Sequence, residues 1–362
     1  MRIAQIAPLW ERVPPARYGG TERVIYHLTE GLVARGHEVT LFATADARTS
    51  ARLVGTVERP LRELGIPWDN HLYPLYHLAT AFEQADAFDI LHAHLNTRTD
   101  YVLLVLAGFV RTPTVITLHC RLPVTPDLLD RRRLLEKYRH RYYVSISQSQ
   151  RTLPDLNYVA TVYNGIDTAR YAFSAQPADY VAWVGRICDE KGTREAILAA
   201  RQAGVRLILA GKIDEHNPAY LAYYREAVAP LIDGHQIVYA GELDEAEVIR
   251  LYQGARAVLN PIKWPEPFGL VMAEAMSCGT PVIAFPKGAA PEIIAHGQTG
   301  FLCPDEEAMV AAVEAACRLD PQTCRRHVLT HFSVARMADD YERVYRRVRT
   351  GAATSASAAP SG

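Results

Sequence analysis

The chain has 362 residues, of which 49% are hydrophobic and 22% are charged, and its formal net charge is −1. This composition is typical of a water-soluble globular protein, and the length favours two domains over one. A chain without a basic excess is not expected to bind nucleic acid. The longest apolar run, Tyr101 to Val110, is too short for a bilayer, which needs about twenty residues. A strand pattern already begins at Arg2, which favours a cytoplasmic protein without a signal peptide.

The six cysteines include no Cys-x-x-Cys pair and have mostly apolar neighbours. This pattern favours reduced, packed thiols in a cytosolic enzyme over a disulfide framework or a zinc site. The cysteines are Cys120, Cys188, Cys278, Cys303, Cys317 and Cys324.

The first half of the chain alternates buried strands with helices. Strand patterns at residues 2–7 and 38–43 flank a helix that Gly19 and Gly20 open, with Thr21 as its expected cap. This βαβ order indicates a doubly wound α/β sheet, but no Gly-x-Gly-x-x-Gly follows the first strand, so a nicotinamide-binding unit is not expected. The glycine pair either serves only to form a turn or belongs to a loop that approaches a substrate phosphate or sugar.

Three histidines lie on predicted strands of this half. His92 and His94 share one face of the strand at 89–94, and without a third ligand in the pattern a structural role is favoured over metal binding. His119 ends the strand at 114–119, at the edge of a parallel sheet where ligands bind. It is therefore the main catalytic candidate of the first half, with a buried, hydrogen-bonded histidine as the alternative.

A predicted helix from Asp130 to Arg141 is dense in basic residues. A solvated helix face is the ordinary explanation of such a run. The alternative is a docking surface, through Arg131–Arg141, for an anionic acceptor or an acidic membrane. Further strands are predicted at 143–147 and 160–163, and an apolar helix is predicted at 100–110.

A weakly patterned segment, 168–179, separates this half from a second alternation of strands and helices, and we place the domain boundary there. The tail from Gly351 to Gly362 has nothing apolar to bury and is expected to be disordered. The second half has predicted strands at 180–185, 205–211, 236–241, 257–261, 282–285 and 297–302, and predicted helices at 193–203, 245–255, 270–277, 291–294, 306–318 and 334–349.

Arg186 follows the first strand of the second half, and Lys191 stands just before the next helix. Two cations at this edge can neutralise a diphosphate, the arginine with a fork of donors and the lysine as a point charge. Surface cations without a ligand are the alternative.

The stretch from Trp264 to Ala275 leads from a strand through two prolines and a glycine into a helix. The free amides at the start of that helix, near Phe268, Gly269 and Leu270, form an anion site. Glu266 and Glu274 can then accept hydrogen bonds from hydroxyls on either side of a phosphate, which is the layout of a nucleotide sugar. Glutamates that serve only the helix dipole are the alternative.

These motifs occur in a fixed order along the chain, and in that order the sequence resembles the family 4 glycosyltransferases, retaining enzymes of the GT-B fold. The resemblance covers nearly everything up to about residue 350, and the glutamate pair separated by seven residues is its most specific part. The motifs are Gly19-Gly20, His119, Asn164-Gly165-Ile166-Asp167, Gly185-Arg186, Lys191-Gly192 and Glu266 to Leu270 with Glu274.

The resemblance implies two Rossmann-like, doubly wound domains that face each other across a cleft. Residues 1–167 would form the acceptor-side domain and 168–335 the nucleotide-sugar-binding domain. The helix at 336–350 would return to the first domain, before the disordered tail at 351–362.

The resemblance also assigns the donor phosphates to named residues. Arg186 and Lys191 would hold the diphosphate, together with the amides of Phe268, Gly269 and Leu270. The protein is expected to need no metal, because no Asp-x-Asp motif lies near this site.

The remaining positions would contact the sugars and the base. His119 and Glu266 are the predicted catalytic residues, Glu266 on the hydroxyls of the transferred sugar, and Glu274 would bind the ribose hydroxyls. The Gly19-Gly20 loop would line the reaction centre with His119. The loops bordering the base would contribute Lys212, Ile213, Glu242 and Leu243.

The implied reaction moves a hexosyl group from a nucleoside-diphosphate sugar, with UDP-glucose favoured, to a hydroxyl acceptor. A UDP-sugar epimerase of the same fold and a non-catalytic nucleotide-sugar-binding protein are the alternatives. The sequence leaves open the donor, the acceptor and the oligomeric state. It also leaves open whether His119 acts in the proton transfer or only positions the sugar.

Overall fold

The computed structural model describes residues 1–16, 19–174 and 176–351. Contacts divide the chain into two compact units. Unit 1 comprises Met1–Gly165 and the C-terminal segment from Val334, and unit 2 comprises Ile166–Ser333. The tail predicted to be disordered lies, beyond Gly351, outside the described residues.

Unit 1 is built on a seven-stranded parallel sheet with the order β3-β2-β1-β4-β5-β6-β7. All six strands predicted for this half are present, and β3 is additional. The strands are β1 (Arg2–Ile6), β2 (Glu38–Thr44), β3 (Arg52–Val57), β4 (Ile90–Leu95), β5 (Thr114–Leu118), β6 (Tyr142–Ser145) and β7 (Tyr158–Thr161). The central strands β1, β4 and β5 are apolar runs with almost no exposed residue, as expected of a sheet covered on both faces.

The helices of unit 1 cover this sheet and are α1 (Gly20–Ala34), α2 (Leu72–Phe82), α3 (Val102–Leu106), α4 (Leu129–Lys137) and α12 (Val334–Arg349). The amphipathic α12 buries its apolar face, including Tyr341 and Tyr345, and packs against α1. Arg35 of α1 donates to the carbonyl of Ala335 and to Asp339, at 2.7 and 3.0 Å.

Three sequence predictions for unit 1 are wrong in detail. Helix α1 begins at Gly20, so the cap is Gly19 rather than Thr21, and no side chain caps the helix. Of the helix predicted at 100–110, only Val102–Leu106 is α-helical, as α3. The residues before it form a tighter turn, in which the carboxylate of Asp100 accepts hydrogen bonds from the amides of Asn96 and Thr97. The basic helix ends at Lys137, four residues before Arg141.

Unit 2 is built on a six-stranded parallel sheet with the order β10-β9-β8-β11-β12-β13. All six predicted strands are present, so the prediction of two doubly wound α/β domains is confirmed. The strands are β8 (Val181–Val184), β9 (Leu207–Ala210), β10 (Ile237–Tyr239), β11 (Val258–Asn260), β12 (Val282–Ala284) and β13 (Gly300–Leu302).

Seven α-helices are described in unit 2, and α6 and α11 are missing from the sequence prediction. They are α5 (Thr193–Gln202), α6 (Pro218–Tyr223), α7 (Glu245–Gly254), α8 (Leu270–Ser277), α9 (Ala290–Ile293), α10 (Glu306–Ala316) and α11 (Pro321–His331). No helix in the described part of the chain combines the length and apolar character that a bilayer crossing requires.

The direction of strand addition reverses within each sheet, between β1 and β4 in unit 1 and between β8 and β11 in unit 2. Ligands of doubly wound folds bind at such a switch point, outside the carboxyl ends of the strands. The loops that follow β1, β4, β8 and β11 are therefore the first places to look for a site.

In unit 2 the loops that follow β8 and β11 are in close contact. Gly192 has φ 68°, and a Cβ there would lie 2.0 Å from the carbonyl oxygen of Pro261, which follows β11. Only glycine allows this approach.

We expect Gly192→Ala to lower the free energy of unfolding by about 3 kcal/mol or more, because left-handed strain adds to displacement of the Pro261 carbonyl. Gly204→Ala is the matched control: its φ is also 68°, but nothing lies within 4 Å of the added Cβ. There we expect strain alone, about 1 kcal/mol. Urea unfolding followed by circular dichroism measures both, and equal losses would contradict the close packing of the two loops.

Candidate active site

Residues from the two loops at the unit 2 switch point meet in an ion pair. Lys191, which precedes α5, donates from Nζ to Oε1 of Glu266 at 2.6 Å. The Lys191 and Glu266 side chains are only 22% and 17% exposed. The Lys191 ammonium also lies 5.6 Å from the centre of the Trp264 ring. Partial burial strengthens this pair over a surface one, and it fixes the positions of both side chains.

The ion pair lies beside the start of α8. The carboxyl carbon of Glu266 is 3.9 Å from the position that a Cβ on Gly269 would occupy. The other carboxylate oxygen, Oε2, is buried and has no hydrogen-bond partner in the described part of the chain. The structure thus brings together two of the predicted donor-binding residues, Lys191 and Gly269, and the predicted catalytic residue Glu266.

The N-terminus of α8 has the geometry of an anion site. Gly269 caps the helix with φ 88° and ψ 71°, no side chain caps it, and Leu270 is the first helical residue. Amides of a first helical turn have no intrahelical acceptor and attract negative charge. Phe268 is buried and packs edge-on against Phe332, with ring centres 5.9 Å apart, so it contributes its backbone rather than its side chain.

Glu274 lies on the second turn of α8. Its side chain is buried, and Oε2 accepts a hydrogen bond from the Tyr252 hydroxyl at 3.3 Å. Burial raises the pKa of Tyr252 well above its usual value, so that hydroxyl remains a donor at neutral pH. Tyr252 is a partner that the sequence pattern does not indicate.

Arg186 lies at the end of β8 with its guanidinium carbon 4.8 Å from the centre of the Tyr220 ring. This cation–π contact comes from α6, so the sequence prediction, which lacks α6, also lacks Tyr220.

The four residues expected to border the base follow β9 and β10 at the same sheet edge. The carbonyl of Lys212 accepts the amide of Ile187 at 2.9 Å, which places Lys212 and Ile213 beside the loop that follows β8. The amide of Gly211 donates to the carbonyl of Gly241 at 2.8 Å, immediately before Glu242 and Leu243.

Two further residues, not indicated by the sequence, hold these elements in place. Lys263 ties the two switch-point loops together: its ammonium contacts Asp189 and Glu195, and its amide donates to the Glu190 carbonyl at 2.9 Å. Arg325 of α11 holds the C-terminal end of α8 by donating to the Ser277 carbonyl at 2.8 Å.

In unit 1, His119 lies immediately after β5, and its amide donates to the Leu95 carbonyl at 2.8 Å. Its half-buried ring bonds through Nε2 to Nδ1 of His94 at 2.9 Å. Burial lowers the pKa of His119 to about 3, so the ring is neutral at physiological pH. His92 and His94 are both fully engaged in hydrogen bonds inside the unit, as structural histidines are.

The glycine pair lies at the switch point of unit 1. Gly19 has φ 141°, and a Cβ there would lie 2.7 Å from Pro15 and 3.2 Å from Oε2 of Glu22. Burial raises the pKa of the Glu22 carboxyl to about 7 and that of Asp100 to about 6. Neither of these two buried acids is among the residues predicted from the sequence.

Other predicted features have ordinary structural surroundings. All six cysteines are free thiols, and burial raises the pKa of Cys278 and of Cys324 to about 12. In the basic helix, Arg132 pairs with Glu136 at 2.7 Å. No group of three or more His, Cys, Asp or Glu residues in the described ranges is arranged to hold a metal ion.

Comparisons with known protein families divide the chain between residues 170 and 172, close to the division between Gly165 and Ile166 that its contacts give. The model of Glycosyltransferase Family 4 matches residues 18–170, and the model of glycosyl transferases group 1 matches residues 172–327. Among curated proteins, the chain is 27% identical to the glycogen synthase of Mycobacterium tuberculosis (strain ATCC 25618 / H37Rv), over 90% of this chain and 88% of the relative. It is also 27% identical to the phosphatidyl-myo-inositol mannosyltransferase of Mycolicibacterium smegmatis, over 86% and 84%.

Solved structures of glycosyltransferases share the fold. AviGT4, involved in avilamycin A biosynthesis, matches with a TM-score of 0.70 and 24% identity, over 97% of this chain and 98% of that one. Sucrose-phosphate synthase from Thermosynechococcus elongatus matches with a TM-score of 0.78 and 20% identity, over 97% and 99%. Two matched family models, full-length relatives and a shared GT-B fold agree: the chain belongs to glycosyltransferase family 4 and is a hexosyltransferase.

Proposed function

We propose that this enzyme is a retaining, metal-independent transferase that moves a hexosyl group from a nucleoside-diphosphate sugar to a hydroxyl acceptor in the cytoplasm. The observation that carries the proposal is the convergence of Lys191, Glu266 and the N-terminus of α8 at the switch point of unit 2. A cation, an acceptor carboxylate and free amides within one small region match the chemistry of a sugar joined to a diphosphate.

The charges at this region suit the departure of a diphosphate. Breaking the anomeric bond places negative charge on the leaving phosphate oxygens, and fixed positive groups stabilise that charge as it develops. We assign this role to Lys191, Arg186 and the amides of Gly269 and Leu270. The ammonium of Lys191 has three donors, of which Glu266 takes one.

The carboxylates supply the recognition of hydroxyls. Oε2 of Glu266 is a buried acceptor beside Gly269, and we assign it to hydroxyls of the transferred sugar. Glu274 is assigned to the ribose, with Tyr252 holding its carboxylate in place. We propose that Lys212, Ile213, Glu242 and Leu243 border the base.

Retention of configuration calls for attack of the acceptor on the same face from which the diphosphate departs, since we assign no carboxylate as the nucleophile. In the proposed step the acceptor oxygen bonds to the anomeric carbon, the carbon–oxygen bond to the diphosphate breaks, and a phosphate oxygen takes the acceptor proton. His119 and the Gly19-Gly20 loop are assigned to the sugar in this reaction centre.

UDP-glucose is the favoured donor. A fold relative, Anabaena HepE, has been solved in complex with UDP-glucose, whereas the starch synthase IV catalytic domain from Arabidopsis thaliana was solved with ADP and acarbose. The nucleotides bound in these two structures therefore differ in their base, and direct binding measurements identify the base that this enzyme prefers.

A thermal-shift panel of UDP-glucose, ADP-glucose and GDP-mannose tests the donor. We expect UDP-glucose to stabilise the folded protein most, by about 2.7 kcal/mol at one hundred times its dissociation constant. Free glucose at the same concentration is the control and should give no shift. A panel in which no nucleotide sugar stabilises the protein would contradict the proposed function.

Substitutions at the ion pair separate donor binding from turnover. We expect Glu266→Gln to lower the rate of donor hydrolysis by about 100-fold or more, because it weakens a contact proposed for the transition state. Lys191→Met should instead raise the dissociation constant of UDP by about tenfold, since a charge-assisted contact is worth roughly 1.5 kcal/mol or more.

Lys137→Met, which removes an exposed lysine from α4 of unit 1, is the control for loss of charge and should change neither quantity. Calorimetry with UDP and a coupled assay of UDP release provide the measurements. If Glu266→Gln hydrolysed the donor as fast as the unsubstituted protein, the proposed role of Glu266 in the reaction would be wrong. Conversion of the labelled donor into an isomeric UDP-sugar without transfer would indicate an epimerase instead.

A further inference from the structure

A chain of buried polar side chains crosses unit 1 from the C-terminal helix α12 to His119. His119 Nε2 bonds to Nδ1 of His94 at 2.9 Å, and Nε2 of His94 bonds to Oε1 of Gln5 at 2.8 Å. The Gln5 amide nitrogen donates to the hydroxyl of Tyr345 at 3.2 Å. Gln5, His94 and Tyr345 are all fully buried.

The same network continues on the far side of Tyr345. Its hydroxyl bonds to Nδ1 of His92 at 2.7 Å, and Nε2 of His92 bonds to the hydroxyl of Thr117 at 2.7 Å. The Thr117 hydroxyl in turn meets the Tyr341 hydroxyl at 2.8 Å. Every link lies within the ordinary range of hydrogen-bond lengths, and a satisfied buried network of this kind holds its members rigidly.

All three histidines of the network are neutral. Burial lowers the pKa of His92 and of His94 well below the usual value and that of His119 to about 3. A neutral imidazole has one donor nitrogen and one acceptor nitrogen. A ring that donates to one neighbour must therefore accept from the other, so the donor of one bond fixes the donors of the bonds that follow.

The amide of Gln5 sets that direction. Its oxygen can only accept, so the proton of His94 is on Nε2, and Nδ1 of His94 is the acceptor. His119 must then carry its proton on Nε2 to donate to His94. The lone pair of His119 is left on Nδ1, which has no hydrogen-bond partner among the described residues.

On the other side of Gln5 the directions agree. Because the amide nitrogen donates to Tyr345, the tyrosine hydroxyl is free to donate to Nδ1 of His92. His92 then donates from Nε2 to Thr117, and Thr117 donates to Tyr341. The orientation of the Gln5 amide in the structure is compatible with all six hydrogen bonds.

We propose that Gln5 is a positioning residue that acts through His94 to hold His119 as the Nε2–H tautomer, so that Nδ1 of His119 accepts a hydrogen bond from a substrate hydroxyl. The identity of the hydroxyl as one on the transferred sugar rests on the proposed function. His119 in this form orients a hydroxyl; it does not donate a proton to the leaving group. The two roles that the sequence leaves open for His119 are thereby separated.

Two-bond ¹H–¹⁵N correlation spectra of protein labelled with ¹⁵N-histidine report the tautomer directly and need no donor or acceptor. We expect His119, identified by the loss of its signals in His119→Asn, to show a protonated Nε2 and an unprotonated Nδ1. A proton on Nδ1 in the unsubstituted protein would overturn the proposal, whether or not Gln5→Met folds.

Gln5→Met keeps the length of the side chain but removes the amide. We expect His119 to populate both tautomers in this variant, kcat for donor hydrolysis to fall about fivefold, the worth of one ordinary hydrogen bond, and the donor KM to change less than about twofold. Tyr341→Phe, which removes a hydroxyl at the far end of the same buried network, is the matched control. It should leave the His119 tautomer and kcat unchanged.

The possible results separate the positioning role from the proposed function. A single Nε2–H tautomer that persists in Gln5→Met, or an equal fall of kcat in Tyr341→Phe, would overturn the role of Gln5. A tautomer that responds to Gln5→Met as expected, in a protein that turns over no nucleotide sugar, would support the positioning role and reject the donor chemistry.

Discussion

The adjacency of two parallel strands, β8 and β11, is the constraint on which the candidate site depends. Parallel strands next to each other send their following loops to one edge of the sheet, and here the two loops are joined by the Lys191–Glu266 pair and by Lys263. Gly192 allows the backbones to approach. A lysine and a glutamate 75 residues apart in sequence thus become one recognition element beside the start of α8.

The apolar pattern of the sequence and its turn residues are sufficient to predict most of the strands. Buried parallel strands are short apolar runs bounded by turns, so twelve of the thirteen described strands can be found from the sequence. The exception, β3, is an edge strand with half-exposed residues and a glycine at position 55, and it lacks that signal. Helix α2 is absent from the sequence prediction because proline usually indicates a helix break, and Pro74 lies within this helix. Pro74 is in the first turn, however, where the missing N–H costs no intrahelical hydrogen bond.

The residues of the candidate site are likewise of two kinds, those that local sequence motifs indicate and those that only tertiary contacts bring in. Lys191, Glu266 and Gly269 belong to local motifs next to strand ends and helix starts, so their convergence follows from topology. Tyr252 and Tyr220 hold Glu274 and Arg186 through tertiary contacts that leave no local pattern. The network behind His119 is of this second kind, since Gln5, His94 and His119 come from three different strand regions and Tyr345 joins them only through the packing of α12.

The central claim is that unit 2 binds the diphosphate of a nucleotide sugar at the β8–β11 switch point. A crystal structure determined with UDP tests it most directly. We predict the two phosphates within hydrogen-bonding distance of Nζ of Lys191 and of the amides of Gly269 and Leu270, with the ribose hydroxyls on Glu274. Phosphates bound at another edge, for example at the Gly19 loop of unit 1, or a switch point that stays free of UDP at saturating concentration, would contradict the account.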